Sequence, residues 1–183
     1  MKTKTQKRFE NILLPIAKRL PVNPNLLTLV SVIFTFASAY YVLSSELAIA
    51  ALFFAIGALL DALDGLTARA HRRETKLGAF YDQTADRLND GAMLIAIILA
   101  GYVNLAVGVS TLFLILTASY MSSVIDSLAK KRIGEKISFR PIRSAILFIG
   151  LLSGEIVAAV WLLLFIGLWT FFYRLFRARL VLN

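Results

Sequence analysis

The sequence predicts an all-α protein: six transmembrane helices in a bundle, an amphipathic helix at the membrane interface before them, and both termini in the cytoplasm. Three observations predict this. Long apolar runs recur along the chain, basic residues gather in every second connection between them, and acidic residues inside the runs fall at helical spacing.

Of the 183 residues, 58% are apolar and 17% charged, against about 45–50% and about 25% in soluble domains. That is more apolar side chain than one soluble core of this size needs, and a bilayer accommodates it. The length fits a single domain. A net charge of +9 is compatible with nucleic acid, an anionic membrane surface or anionic substrates, but its alternation with apolar runs argues against nucleic acid. With no cysteines, disulfides, zinc–thiolate sites and cysteine nucleophiles are excluded. The basic N-terminal start lacks a short apolar stretch ending in a small-residue cleavage site, so no cleaved signal peptide is expected.

The expected spans are residues 26–43, 47–60, 79–99, 105–125, 142–152 and 156–172. About 20 apolar residues cross a bilayer, so the second run must continue past Asp61, and the fifth is the shortest. Lipid offers bare backbone groups no partner, which makes these runs helices rather than strands. Ahead of them, Phe9, Ile12, Leu13, Ile16 and Leu20 recur at helical spacing, with Lys7, Arg8, Lys18 and Arg19 around them. This predicts an interfacial helix over residues 1–22, kinked at Pro15, ahead of a transmembrane domain over 23–183; a solvated basic arm is the other reading. Asn23 and Pro24 read as N-cap and first residue of the first span.

The Lys and Arg positions test this layout. Six precede residue 21. Arg69, Arg72, Arg73 and Lys76 lie between the second and third spans. Lys130, Lys131, Arg132, Lys136, Arg140 and Arg143 lie between the fourth and fifth, and Arg174, Arg177 and Arg179 follow the sixth. The connections at 44–46, 101–104 and 153–155 carry none. Basic loops belong in the cytoplasm. Without the fifth span, the last three arginines would fall on the opposite side.

Asp61, Asp64, Asp82, Asp86 and Asp90 stand in or beside the second and third runs. Each carboxylate at a span centre costs about 2.5–3.5 kcal/mol on insertion scales, so the group needs a watery cavity, cationic partners or metal. Asp61 and Asp64 are three apart and share a helix face; Asp82, Asp86 and Asp90 step by four and share another. A short basic loop makes the two helices antiparallel neighbours, and Asp61, roughly 20 Å into its span at 1.5 Å per residue, meets the start of the return helix. Facing carboxylates without His or Cys form an all-oxygen site, which favours a hard cation, Mg²⁺, Mn²⁺ or Ca²⁺. Gly65 and Gly78 clear space beside the acids, and Arg69 brings positive charge for phosphates.

The run Asp61-Ala62-Leu63-Asp64-Gly65-Leu66-Thr67-Ala68-Arg69, followed by Gly78, Asp82 and Asp86, fits D-x2-D-G-x2-A-R-x8-G-x3-D-x3-D without a gap. It resembles the signature of the CDP-alcohol phosphatidyltransferases. The six-span layout, with the motif on the second and third spans, resembles that family along nearly the whole chain, and Pro24-Asn25-Leu26-Leu27-Thr28 is similar to the start of its first span. The resemblance implies that Asp61, Asp64, Asp82 and Asp86 surround Mg²⁺ or Mn²⁺, two ions in all, with Asp86 as the base that activates the acceptor hydroxyl. It places Asn25, Thr28, Gly65, Ala68, Arg69 and Gly78 at a CDP-activated lipid donor. It further implies direct in-line transfer to a small alcohol with release of CMP, contact with membrane lipid and a homodimer, while the basic loops and the depth of Asp61 predict a cytoplasm-facing site.

For the acceptor, the stretch Leu77–Asp82 with Asp86-Arg87 and Asp90-Gly91 resembles the inositol-phosphate branch of the family, as do Ser119-Tyr120 and Arg140-Pro141-Ile142-Arg143. Inositol 1-phosphate is therefore the expected acceptor, held by Ser119, Arg140, Arg143 and Arg174. Two positions depart from that branch: Met121-Ser122-Ser123 follows the Ser-Tyr pair where Arg is common, and Gln83 replaces a common Ser. Glycerol 3-phosphate, or CDP-inositol as donor to inositol phosphate, are alternatives within the same chemistry.

Plainer readings stand beside these. Arg140, Arg143, Arg174 and Arg177 also serve as interfacial anchors; Lys130, Lys131 and Arg132 as a topology signal or lipid contact. Arg87 can pair with an aspartate, Asp90 can be structural, and His71 is expected to be exposed in a charged loop. Intramembrane carboxylates also mark ion or proton pathways, making a small transporter the alternative from another class. A transporter gives no reason for Gly65, Ala68, Arg69 and Gly78 at these spacings.

Overall fold

The computed structural model describes residues 4–129 and 139–182. Among them are seven helices and no strand: α1 (Lys4–Arg19), α2 (Pro24–Leu43), α3 (Leu47–Ala70), α4 (Lys76–Leu99), α5 (Leu105–Leu128), α6 (Arg140–Ser153) and α7 (Ile156–Leu182). Four of them, α2, α3, α5 and α7, are long and apolar enough to cross a membrane. Helix α4 matches α3 in length at 24 residues but carries Asp82, Asp86, Arg87 and Asp90; α6 has 14 residues. Lys2, Lys130, Lys131, Arg132 and Lys136, and the side chains of Lys4, Lys7, Arg8 and Phe9, lie outside the described residues.

The helices begin and end where the chain chemistry directs. Asn23 caps α2, its side chain accepting from Asn25 N at 3.0 Å, and Pro24 opens the helix, as the sequence predicts. Asn104 does the same for α5 through Ala106 N at 2.8 Å. Gly154 ends α6 at φ 78°, a left-handed conformation that glycine adopts without a Cβ penalty. The second expected span runs on to Ala70 as one helix, so both of its acids are helical.

The chain divides between Met93 and Leu94 into two compact units. In the N-terminal unit, α2 and α3 form an antiparallel pair about the turn at Ser44–Glu46. Their seam is small and polar. Thr28, Ser31, Thr35 and Ser38 are buried; Ser38 donates to the Ala50 carbonyl at 2.7 Å. A Cβ on Gly57 would stand 3.1 Å from both the Ser31 carbonyl oxygen and Thr35 Oγ1. On the opposite side of α2, Leu29, Ile33, Phe36 and Tyr40 are exposed. Polar inside and apolar outside inverts the order of a water-facing helix and suits a helix bathed in lipid.

Helix α1 runs unbroken through Pro15. Leu13 and Ala17 bury against Leu27, Leu63 and Leu66; burying a leucine side chain contributes about 2 kcal/mol. Ile12 and Ile16 stay exposed beside Lys18 and Arg19. The predicted apolar stripe is thus divided, because the leucines of α3 take one edge of it. His71 corrects an expectation as well. It is half-buried rather than exposed, and its Nε2 lies 3.2 Å from the Ala17 carbonyl oxygen, a geometry in which the ring N–H donates and ties the ends of α1 and α3.

In the C-terminal unit, α7 lies against α5 and α6. Glycines permit the close approach: a Cβ on Gly167 would meet Leu114 Cβ at 3.2 Å, and one on Gly150 would meet Ala159 Cβ at 2.5 Å. Trp161, Phe165, Trp169, Phe172 and Phe176 of α7 are exposed, the same outward apolar order.

Candidate metal and substrate site

The connection His71–Thr75 joins α3 to α4 and returns the start of α4 to the acids of α3. Asp64 and Asp82 stand equidistant in sequence from Arg73, so the hairpin brings them level. One carboxylate oxygen from each of Asp61, Asp64 and Asp82 lies within 4.8 Å of the other two, and Asp64 is 3% exposed. Unit negative charges about 4 Å apart repel by on the order of 4 kcal/mol per pair at an effective dielectric near 20. Such a trio is stable with a cation among it, and an all-carboxylate donor set suits a hard divalent ion. The residues present therefore fit the metal that the sequence implies.

Asp64 also has a partner on α2. Thr28 Oγ1 on α2 donates to Asp64 Oδ2 at 2.5 Å and sits 3.2 Å from the Pro24 carbonyl oxygen. Asp86 lies one helical turn beyond Asp82, half-buried and outside the close trio. Asp90 is a further turn along, also half-buried.

Around the acids, the two motif glycines have identifiable neighbours. The Arg69 guanidinium folds back along α3 over Gly65, with Nη1 3.5 Å from where a Cβ would stand. Gly78 opens α4, its N–H donating to Thr75 Oγ1 at 2.9 Å. A Cβ there would meet Asn25 Oδ1 and Thr75 Oγ1, each at 3.1 Å. Asn25 of α2 and Gly78 of α4 thus approach each other, and Arg69 lies over Gly65, the residue after Asp64. Ala68 is half-buried on α3.

The residues expected at the acceptor lie in the C-terminal unit. Ser119 on α5, Arg143 on α6 and Arg174 on α7 are buried; Arg140 is half-buried. Arg174 Nη1 donates to the Ala118 carbonyl. A snorkelling anchor keeps its guanidinium in water; Arg174, 8% exposed, does not. Sequence reasoning missed Thr75 and the tie from Thr28 to Asp64. The spacing Thr75-x-x-Gly78 is a helix-start signal for the first; no local pattern marks the second.

The profile of the family described as CDP-alcohol phosphatidyltransferase matches residues 21–176. The archaetidylinositol phosphate synthase of Pyrococcus horikoshii is 32% identical over 160 residues, covering 87% of this chain and 85% of that protein. The crystal structure of Mycobacterium tuberculosis phosphatidylinositol phosphate synthase with CDP-DAG bound has a similar fold, with TM-score 0.78 and 24% identity over 92% of this chain and 94% of that one. The same enzyme in complex with manganese and citrate gives TM-score 0.75 at 22% identity, over 93% and 87%.

Proposed function

The chain belongs to the CDP-alcohol phosphatidyltransferase family, and on that premise we propose that it transfers the phosphoalcohol of a CDP-activated lipid to inositol 1-phosphate with release of CMP. The observation that carries this is the trio Asp61, Asp64 and Asp82 set beside Gly65, Arg69 and Gly78. The donor assignment is supported by CDP-DAG in the similarly folded mycobacterial enzyme, and the acceptor by the archaeal relative's activity.

In this reading Asp61, Asp64, Asp82 and Asp86 would hold Mg²⁺ or Mn²⁺, two ions in all. When bound, the metal would offset pyrophosphate charge and steady the departing CMP. Arg69 reaches the donor phosphates from above Gly65. Gly65 and Gly78 leave room for the CDP group, with Asn25 and Ala68 at its border. Asp86 takes the proton of the acceptor hydroxyl; the acceptor oxygen bonds to the lipid-bearing phosphorus as the P–O bond to CMP breaks. Arg143 and Arg174, with Ser119 and Arg140, meet the acceptor phosphate. Guanidinium groups suit a phosphate through charge-assisted hydrogen bonds.

The fold is read as six spans, α2 to α7, in a domain over 23–183. Helix α1 lies at the interface over 1–22, the termini and active site face the cytoplasm, and two copies pair as a homodimer. The test is CMP release by purified protein with a CDP-activated lipid and Mg²⁺, comparing inositol 1-phosphate with glycerol 3-phosphate. Release with inositol phosphate only, lost in EDTA and restored by Mg²⁺ or Mn²⁺, is expected. Release with glycerol phosphate only overturns the acceptor, and full activity in EDTA overturns the metal.

A further inference from the structure

We infer that Thr28 is a positioning residue of the acidic site: its hydroxyl, presented from α2, fixes the Asp64 carboxylate in the orientation in which it completes the trio with Asp61 and Asp82. The inference rests on the reading of that trio as a divalent-cation site.

Three features of the structure carry it. First, both groups are buried, Thr28 at 6% and Asp64 at 3% exposure, so water does not substitute for the bond between them. Second, the hydroxyl has one proton and two acceptors in reach, the Asp64 carboxylate at 2.5 Å and the Pro24 carbonyl at 3.2 Å. The nearer oxygen takes the stronger bond. With Oδ2 held on α2, the carboxylate cannot rotate without losing that bond, and its other lone pairs keep a fixed direction. Third, the holder is rigid. Thr28 stands in the first turns of α2, after a proline whose φ is set by its ring and a capping Asn23 that accepts from Asn25 N. Its β-branched side chain has two χ1 rotamers to choose from in a helix, and the hydroxyl here lies within reach of the Pro24 carbonyl, one turn back.

The hairpin register delivers this contact. Thr28 and Asp64 are equidistant from Glu46, in the turn between α2 and α3. The same register sets Ser38 on Ala50 and Gly57 against Ser31 and Thr35. Whatever holds α2 on α3 therefore also aims Asp64. This differs from the role implied by resemblance, in which Thr28 contacts the donor.

The test reads metal binding rather than turnover. Mn²⁺ is titrated into purified protein without donor, and free Mn²⁺ is followed by its EPR signal. Loss of a partner that orients a ligand costs about 10–100-fold in metal affinity, so T28V is expected to weaken Mn²⁺ binding by that factor. T28S, which keeps the donor, is expected to stay within about threefold of wild type. Metal-free thermal unfolding is compared in parallel, so that a folding defect is seen as one. Should T28V not fold, T28A carries the same expectation. Equal Mn²⁺ affinity in wild type and T28V overturns the inference, as does weakened CDP-lipid binding in EDTA with Mn²⁺ affinity unchanged. A wild-type protein that binds no Mn²⁺ overturns the cation site itself and the inference with it.

Discussion

At the scale of single residues, the acids divide by position. Asp61, Asp64 and Asp82 are within reach of one ion, while Asp86 stands one turn away along α4. That separation suits a division of labour between charge stabilisation and proton transfer. Asp86→Asn is expected to abolish transfer, lowering CMP release at least ~100-fold as loss of a general base does, while the folded variant still binds the CDP-lipid. Normal turnover would remove the base assignment. The motif positions were legible in the sequence because the chemistry fixes them at short helical spacings: i, i+3 on α3 and i, i+4 on α4. Thr28 was legible as a candidate, but its bond to Asp64 was not. Its partner is distant in sequence and becomes a neighbour only through the register of a helix pair.

At the scale of elements, the α2–α3 pair is held by a narrow, polar seam that leaves little room for side chains. At Gly57 a Cβ would already be tight against α2. Gly57→Leu is expected to destabilise the protein by about 1–3 kcal/mol through overpacking, seen as a lowered unfolding midpoint. It should also weaken Mn²⁺ binding, because separating the helices withdraws Thr28 from Asp64. A lowered midpoint with unchanged Mn²⁺ affinity would uncouple seam and site. Helix ends were well read from sequence at Asn23 and Pro24, where capping is a local property. The docking of α1 was not. Its apolar positions could serve lipid or protein, and Leu63 and Leu66 decide that Leu13 and Ala17 face inward.

At the scale of the whole molecule, the proposed six-span topology makes a direct prediction. The chain has no cysteines, so each introduced cysteine reports its own side of the membrane. Ser45→Cys and Glu155→Cys, in the neutral connections, are expected to react with an impermeant maleimide added outside intact cells. Arg72→Cys and Arg179→Cys, in basic segments, are expected to react only after permeabilisation. Labelling of all four from one side would overturn the layout. The prediction follows from the placement of Lys and Arg, since basic loops resist translocation.

The sequence by itself determined the helical class, the runs from which the long helices form, the sidedness expected of the loops and the acids of the site. Each of these depends on composition or on neighbours within a few turns. Only the tertiary structure decided that Thr28 grips Asp64, that Arg69 covers Gly65, that Asn25 meets Gly78, and that Arg143 and Arg174 are buried. Most of these depend on which faces of separate helices meet and in what register. Which neighbour a helix face meets, and in what register, is left to packing, where small residues such as Gly57 and Ser38 set how closely the backbones approach.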